Sequence, residues 1–198
     1  MLLGNYLGLP PKFLKILKIR GGMSKQPSLK MLTDPGHLVA LGLGSGLAPL
    51  GPGTAGTLVG VLAFLWFLYS PVFSLILYFL LCIVLFFAGI FICARTSQFL
   101  DAHDHKAIVF DEIVGFFIGA GWIPMLELFW LFENVEIQFL FVPLTFVLFR
   151  FFDIVKPWPI SKVDRECQGG LGIMLDDLLA GVFTFVLAPV ICILLGYL

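Results

Sequence analysis

Charge in this chain is confined to short blocks, and the stretches between them are apolar and close to the length of a bilayer crossing. Only 13% of the residues are charged, 60% are hydrophobic and 22 of the 198 are Phe, giving a mean hydropathy of +1.04. A soluble domain is roughly one quarter charged and about one half apolar. The chain therefore reads as all-α, a polytopic integral membrane helical bundle forming one domain, too short to carry a soluble module as well. Apolar helices are expected at about 56–70, 72–94, 113–131, 137–152 and 178–198, with Pro71 separating the first two at a tight turn.

The basic residues orient these five expected spans. Residues 1–33 form a basic arm holding Lys12, Lys15, Lys18, Arg20, Lys25 and Lys30. Such an arm can lie on an anionic leaflet or simply retain the N-terminus in the cytoplasm. No long apolar core follows its charges before Gly21-Gly22, so no cleaved signal peptide is expected. The remaining Lys and Arg fall in the 95–112 loop (Arg95, Lys106) and the 150–170 loop (Arg150, Lys156, Lys162, Arg165), whereas the loop with Glu127, Glu133 and Glu136 has none. The positive-inside rule then places every polar block of the membrane-embedded domain, 34–198, on the cytoplasmic face, where the blocks can share one site. A net charge of -1 points away from a nucleic-acid partner. Cys82, Cys93, Cys167 and Cys192 show no metal-binding or redox spacing and read as small buried hydrophobes.

The segment from His37 to Thr57 is too rich in Gly and Pro for an ordinary span and is expected to be a re-entrant or cavity-lining segment. Its glycines serve either helix packing or the approach of backbone N–H groups, at Gly53 and Thr54, to a phosphate. Thr57 is expected to open the next helix, with the positive end of the dipole toward that anion.

Adjacent acids precede the expected third and fifth spans: Asp111-Glu112 and Asp176-Asp177. One carboxylate per helix is explained by capping and the dipole; two, together with Asp104 and Asp153, are not. Convergent carboxylates repel unless a divalent cation joins them, and an all-oxygen set suits Mg²⁺ or Mn²⁺ better than Zn²⁺. His103 and His105, two positions apart, form a poor zinc pair. Arg150 and Lys156 flank Asp153 and are suited either to neutralising phosphate oxygens or to snorkelling at the interface. The chain has no Asp-x-Asp and no Cys followed by five residues and then Arg, so a hydrolytic reaction is expected to use metal-activated water in in-line attack on phosphorus. His103 and Asp164 are candidate acids for the leaving alcohol.

Four blocks in order resemble the type A phosphatidylglycerophosphatases, Mg²⁺-dependent bacterial membrane enzymes. They are Gly44-Ser45-Gly46 through Pro52-Gly53-Thr54-Ala55-Gly56; Asp104 with Ile108-Val109-Phe110-Asp111-Glu112; Arg150-Phe151-Phe152-Asp153 with Lys156-Pro157-Trp158-Pro159-Ile160; and Gly170-Leu171-Gly172-Ile173-Met174-Leu175-Asp176-Asp177 with Ala180-Gly181. The resemblance implies hydrolysis of phosphatidylglycerophosphate to phosphatidylglycerol and inorganic phosphate, with membrane lipids as surroundings, at the cytoplasmic side of the bacterial inner membrane. It implies Asp104, Asp111, Glu112, Asp153, Asp176 and Asp177 as the catalytic cluster, with Asp111, Glu112, Asp153, Asp176 and Asp177 as the Mg²⁺ ligands. Lys106 departs from the family pattern, which has glycine there, and the basic arm is longer than in that pattern. An ion or solute transporter using cytoplasmic-side carboxylates is the alternative, although the chain has no internal repeat. A phosphatidyl transferase is disfavoured by the absence of an Asp-Gly-x-x-Ala-Arg signature.

Overall fold

The computed structural model describes residues 25–102, 104–128 and 135–196. The basic arm up to residue 24, His103 and the loop containing Glu133 lie outside the described residues, as do the side chains of Glu127 and Glu136. Every regular element among the described residues is helical. They are α1 (Pro35–Ala40), α2 (Pro52–Leu68), α3 (Leu75–Leu100), α4 (Phe110–Ala120), α5 (Trp122–Leu128), α6 (Val135–Val155), α7 (Ile160–Glu166) and α8 (Gly169–Leu194), with short 3-10 turns at Leu29–Thr33 and Gly42–Leu47.

The chain alternates between two ends of the bundle. Helices α2, α4 and α8 start at the end that carries the polar blocks, and α3 and α6 finish there. The first turn of α3 supplies Tyr78, which packs inward on Phe67 near the end of α2 and on Phe117 of α4. Helix α4 is the hub: it packs most extensively against α8 and also against α2, α3 and α6. Glycines allow these approaches. A methyl group on Gly170 would meet the Ile90 carbonyl of α3 at 1.8 Å, and one on Gly181 would meet the Gly115 carbonyl of α4 at 2.4 Å. Phe64, Tyr78, Phe116 and Phe149 fill the middle of the bundle, in largely edge-to-face contacts.

By length and composition α3 and α8 can each cross a bilayer. Helix α2, at 17 residues, is shorter. The outward surface is strongly apolar: Ile76 is 83% exposed, Trp66 76% and Phe91 75%. An apolar surface of this extent is suited to lipid and would be an aggregation liability in water.

The helix boundaries differ from the sequence expectation in instructive ways. Helix α2 begins at Pro52, not near 56, because Gly51 takes a left-handed conformation (φ 57) and Pro52 is preorganised for a first helical turn. Thr57 therefore lies inside α2, not at its start. The expected 113–131 span is divided at Gly121 into α4 and α5. The final helix begins at Gly169, so Asp176 and Asp177 lie about two turns inside it and not before its first turn. The 37–57 segment is built of short helical turns, and its residues Gly51 to Gly53 line a cavity.

Candidate active site

The polar end encloses a cavity of about 250 Å³. All six acids singled out in the sequence line it: Asp104, Asp111, Glu112, Asp153, Asp176 and Asp177. Lys106, Arg150, Lys156 and the Gly51-Pro52-Gly53 corner complete the wall. Each helix brings its acids by simple geometry. Asp111 and Glu112 occupy the first turn of α4, where the dipole favours negative charge. Arg150 and Asp153 lie three residues apart on the last turns of α6 and so share a face. Asp176 and Asp177 are carried in by the close α4 and α8 contact around Gly115 and Gly181.

Two cations are tied to this wall. Arg150 Nη1 stands 2.5 Å from Asp153 Oδ2 and 3.2 Å from Glu112 Oε1, and donates to Thr57 Oγ1 at 3.3 Å. Arg150, Glu112 and Asp153 side chains are each no more than 15% exposed. Thr57, fully buried, donates in turn to the Gly53 carbonyl. Its role as a support for the guanidinium was missed in the sequence, where it stands among other small residues with no signal beyond its hydroxyl.

Lys156 Nζ sits between Asp164 Oδ1 at 2.5 Å and Asp176 Oδ2 at 2.6 Å. Burial works against its positive charge, but the two carboxylates outweigh burial and hold its pKa above the ordinary lysine value. Its backbone is left-handed, with φ 45. For a residue with a Cβ that conformation costs about 1–2 kcal/mol, and it turns the chain from α6 toward α7. Asp164, considered as an acid for the leaving alcohol, is exposed and engaged by Lys156.

Gly53 does line the cavity, packed so closely on Glu112 that an added methyl group would stand 2.0 Å from Oε1. The helix-packing role of this glycine is therefore plain. Thr54 is exposed and lies outside the cavity lining. The α2 N-terminus has no side-chain cap, and neither does that of α4. His105 is buried, and its Nδ1 accepts the Ala107 N–H; burial first, then the Lys106 ammonium, lowers its pKa.

Three buried side-chain atoms have no hydrogen-bond partner among the described residues: Glu112 Oε2, Arg150 Nε and Asp176 Oδ1. All three belong to this cavity. Each orphaned polar atom costs about 1–3 kcal/mol, and more when charged. A ligand with both cationic and anionic character, such as a hard cation carrying a phosphate, would satisfy all three. No three of the described His, Cys, Asp and Glu residues form a ready-made metal cage. Mg²⁺ does not require one, since it commonly takes one or two carboxylates and completes its shell with waters and substrate phosphate. The all-oxygen donors and the two orphaned carboxylate oxygens fit such an ion.

Comparison with known proteins agrees with the chemistry of the cavity. A family model described as Phosphatidylglycerophosphatase A matches residues 38–192. The chain is 38% identical over 158 residues to Phosphatidylglycerophosphatase A of Escherichia coli strain K12, covering 79% of this chain and 82% of that protein. Its identity to Phosphatidylglycerophosphatase A of Haemophilus influenzae is 37% over 155 residues, 78% and 87% of the two chains. A Bacteroides thetaiotaomicron protein provisionally named phosphatidylinositol-3-phosphatase is 36% identical over 155 residues, 77% and 91% of the chains. No solved structure matches.

Proposed function

We propose that this chain, which belongs to the phosphatidylglycerophosphatase A family, hydrolyses the terminal phosphomonoester of phosphatidylglycerophosphate, releasing phosphatidylglycerol and inorganic phosphate. The observation that carries the reading is the cavity in which all the orphaned buried polar atoms of the described residues collect, two of them carboxylate oxygens and one a guanidinium nitrogen. The family is one of phosphatases, and the cavity has the charge pattern phosphoryl transfer needs: acids to organise a cation and bases to neutralise phosphate.

The bundle sits in the bacterial inner membrane with α2, α3, α4–α5, α6 and α8 as its crossings and the cavity opening to the cytoplasm. Its alternating helix directions and apolar outer surface support this placement. Glu112 and Asp176, with Asp111, Asp153 and Asp177, would hold Mg²⁺. When bound, that ion supplies Lewis-acid polarisation of the phosphoryl group and lowers the pKa of water. Arg150 retains donors beyond those used by Glu112, Asp153 and Thr57, and its Nε is the one aimed at no protein acceptor. It binds a phosphate oxygen and stabilises the charge that grows there in the transition state. Lys156 pairs with Asp176 and orients it, and the uncapped N-terminus of α2 at Gly53 lends its dipole to the anion. Gly53 contributes through helix position and packing, and Thr54 drops from the phosphate-contacting set because it faces outward.

Transport by the acids has less support. The buried carboxylates among the described residues, Asp111, Asp176 and Asp177, all gather at this one cavity and do not line a path through the bundle. The test is phosphate release by purified protein from phosphatidylglycerophosphate with Mg²⁺ or with EDTA. Mg²⁺-dependent release is expected; no release by a folded sample would sink the proposal.

A further inference from the structure

A second cavity, of about 400 Å³, adjoins the first, and the two share only Pro52 and Lys106 as lining residues. It lies between the Gln26-Pro27 segment, the Gly46-to-Pro49 turn and the His105-to-Ala107 loop. Among the lining residues of both cavities, Arg150 and Lys156 are each committed to two carboxylates, whereas Lys106 is exposed and makes no ion pair or hydrogen bond with the described residues. Among the described residues that line the second cavity, Lys106 alone carries a formal charge.

The charge contrast between the two spaces matters for a substrate with two phosphates. The first cavity has six acids against three bases, Lys106 included, and can hold one phosphoryl group only with a cation's help. A second phosphate there would meet the same excess of carboxylates. Three carbons along a glycerol can carry the second phosphate to the boundary that Lys106 occupies, where the described lining of the second cavity holds no carboxylate.

We propose that Lys106 binds the phosphodiester of the substrate in the second cavity while the phosphomonoester reacts in the first, and that it thereby selects phosphatidylglycerophosphate over phosphatidic acid. The proposal rests on the phosphatase reading above. Phosphatidic acid has a single phosphate, which the reacting cavity takes, and leaves the Lys106 ammonium without its partner. Lys106 is a specificity-determining residue and takes no part in the bond-breaking step, so its loss is read as a change in preference.

The experiment compares Lys106→Gln and Lys106→Arg with the unaltered chain, using both lipids in nonionic detergent micelles so that surface charge plays no part. For Lys106→Gln, kcat/KM on phosphatidylglycerophosphate should fall about tenfold, the scale of one charge-assisted hydrogen bond. The fall on phosphatidic acid should be distinctly smaller, and Lys106→Arg should restore most of the preference. An equal fall on both lipids, or no fall on either, overturns the proposal while leaving the phosphatase reading intact. An unaltered chain that releases phosphate from neither lipid overturns both.

Discussion

The middle of the bundle and its polar end solve the same problem in opposite ways. In the middle, the buried polar groups find protein partners: Tyr78 donates its hydroxyl to the Phe117 carbonyl, Trp122 Nε1 donates to Thr145 Oγ1 at 2.9 Å, and Thr184 donates to the Ala180 carbonyl at 2.8 Å. At the polar end, Glu112, Arg150 and Asp176 each leave a buried atom without one. Folding free energy alone favours closing such gaps, because an unmet buried polar atom is destabilising. A molecule that satisfies its centre and leaves its acidic end unmet offers that end to a ligand, above a closely packed aromatic middle.

Substitutions at the two ends of this contrast should separate activity from stability. The largest effect is expected for Asp111→Asn, an isosteric change at a buried acid of the cavity. Turnover of phosphatidylglycerophosphate should fall about a thousandfold, the scale of removing one group that stabilises transition-state charge, with the thermal midpoint retained or raised as a buried charge is removed. A midpoint lowered as much as the activity would place Asp111 with the structural core instead. Gly53→Ala comes next. Its methyl group would displace the Glu112 carboxylate, and a shift of that size should cost about a hundredfold in kcat while the helix still forms. Wild-type turnover by this variant would show that Glu112 need not stand where it does.

The smallest effect is expected in the middle. Tyr78→Phe removes one hydrogen bond, worth about 1 kcal/mol, and should lower the thermal midpoint by about 2–4 °C with kcat within about twofold of the unaltered chain. A loss of activity comparable to that of Asp111→Asn would break the division between the two regions.

Much of this arrangement was legible in the sequence because charge is so sparse. Six of the thirteen acids stood out by their adjacent pairing and by the resemblance of their blocks to the family's, and all six line one cavity. The expected alternation of helix directions matches the shared end at which α2, α4 and α8 begin. Glycine blurred the rest. Gly169 to Gly172 reads as loop, yet Gly170 is where α8 passes against the α3 backbone, so the helix starts earlier and Asp176 and Asp177 ride inside it. The same ambiguity hid the start of α2 and with it the inward position of Thr57. Side-chain pairing was the other gap. Spacing shows that Arg150 and Asp153 share a helix face, but the contact of Lys156 with Asp176 depends on a tertiary approach that no local pattern encodes.

The most direct test of the central claim is phosphate release from phosphatidylglycerophosphate by Asp176→Asn protein that melts as the unaltered chain does. This substitution changes one of the orphaned carboxylates, while Lys156 keeps its pairing with Asp164. The account predicts a loss of Mg²⁺-dependent release of about a thousandfold. Release at the unaltered rate would mean that the unmet polar atoms of this cavity are not what the reaction uses.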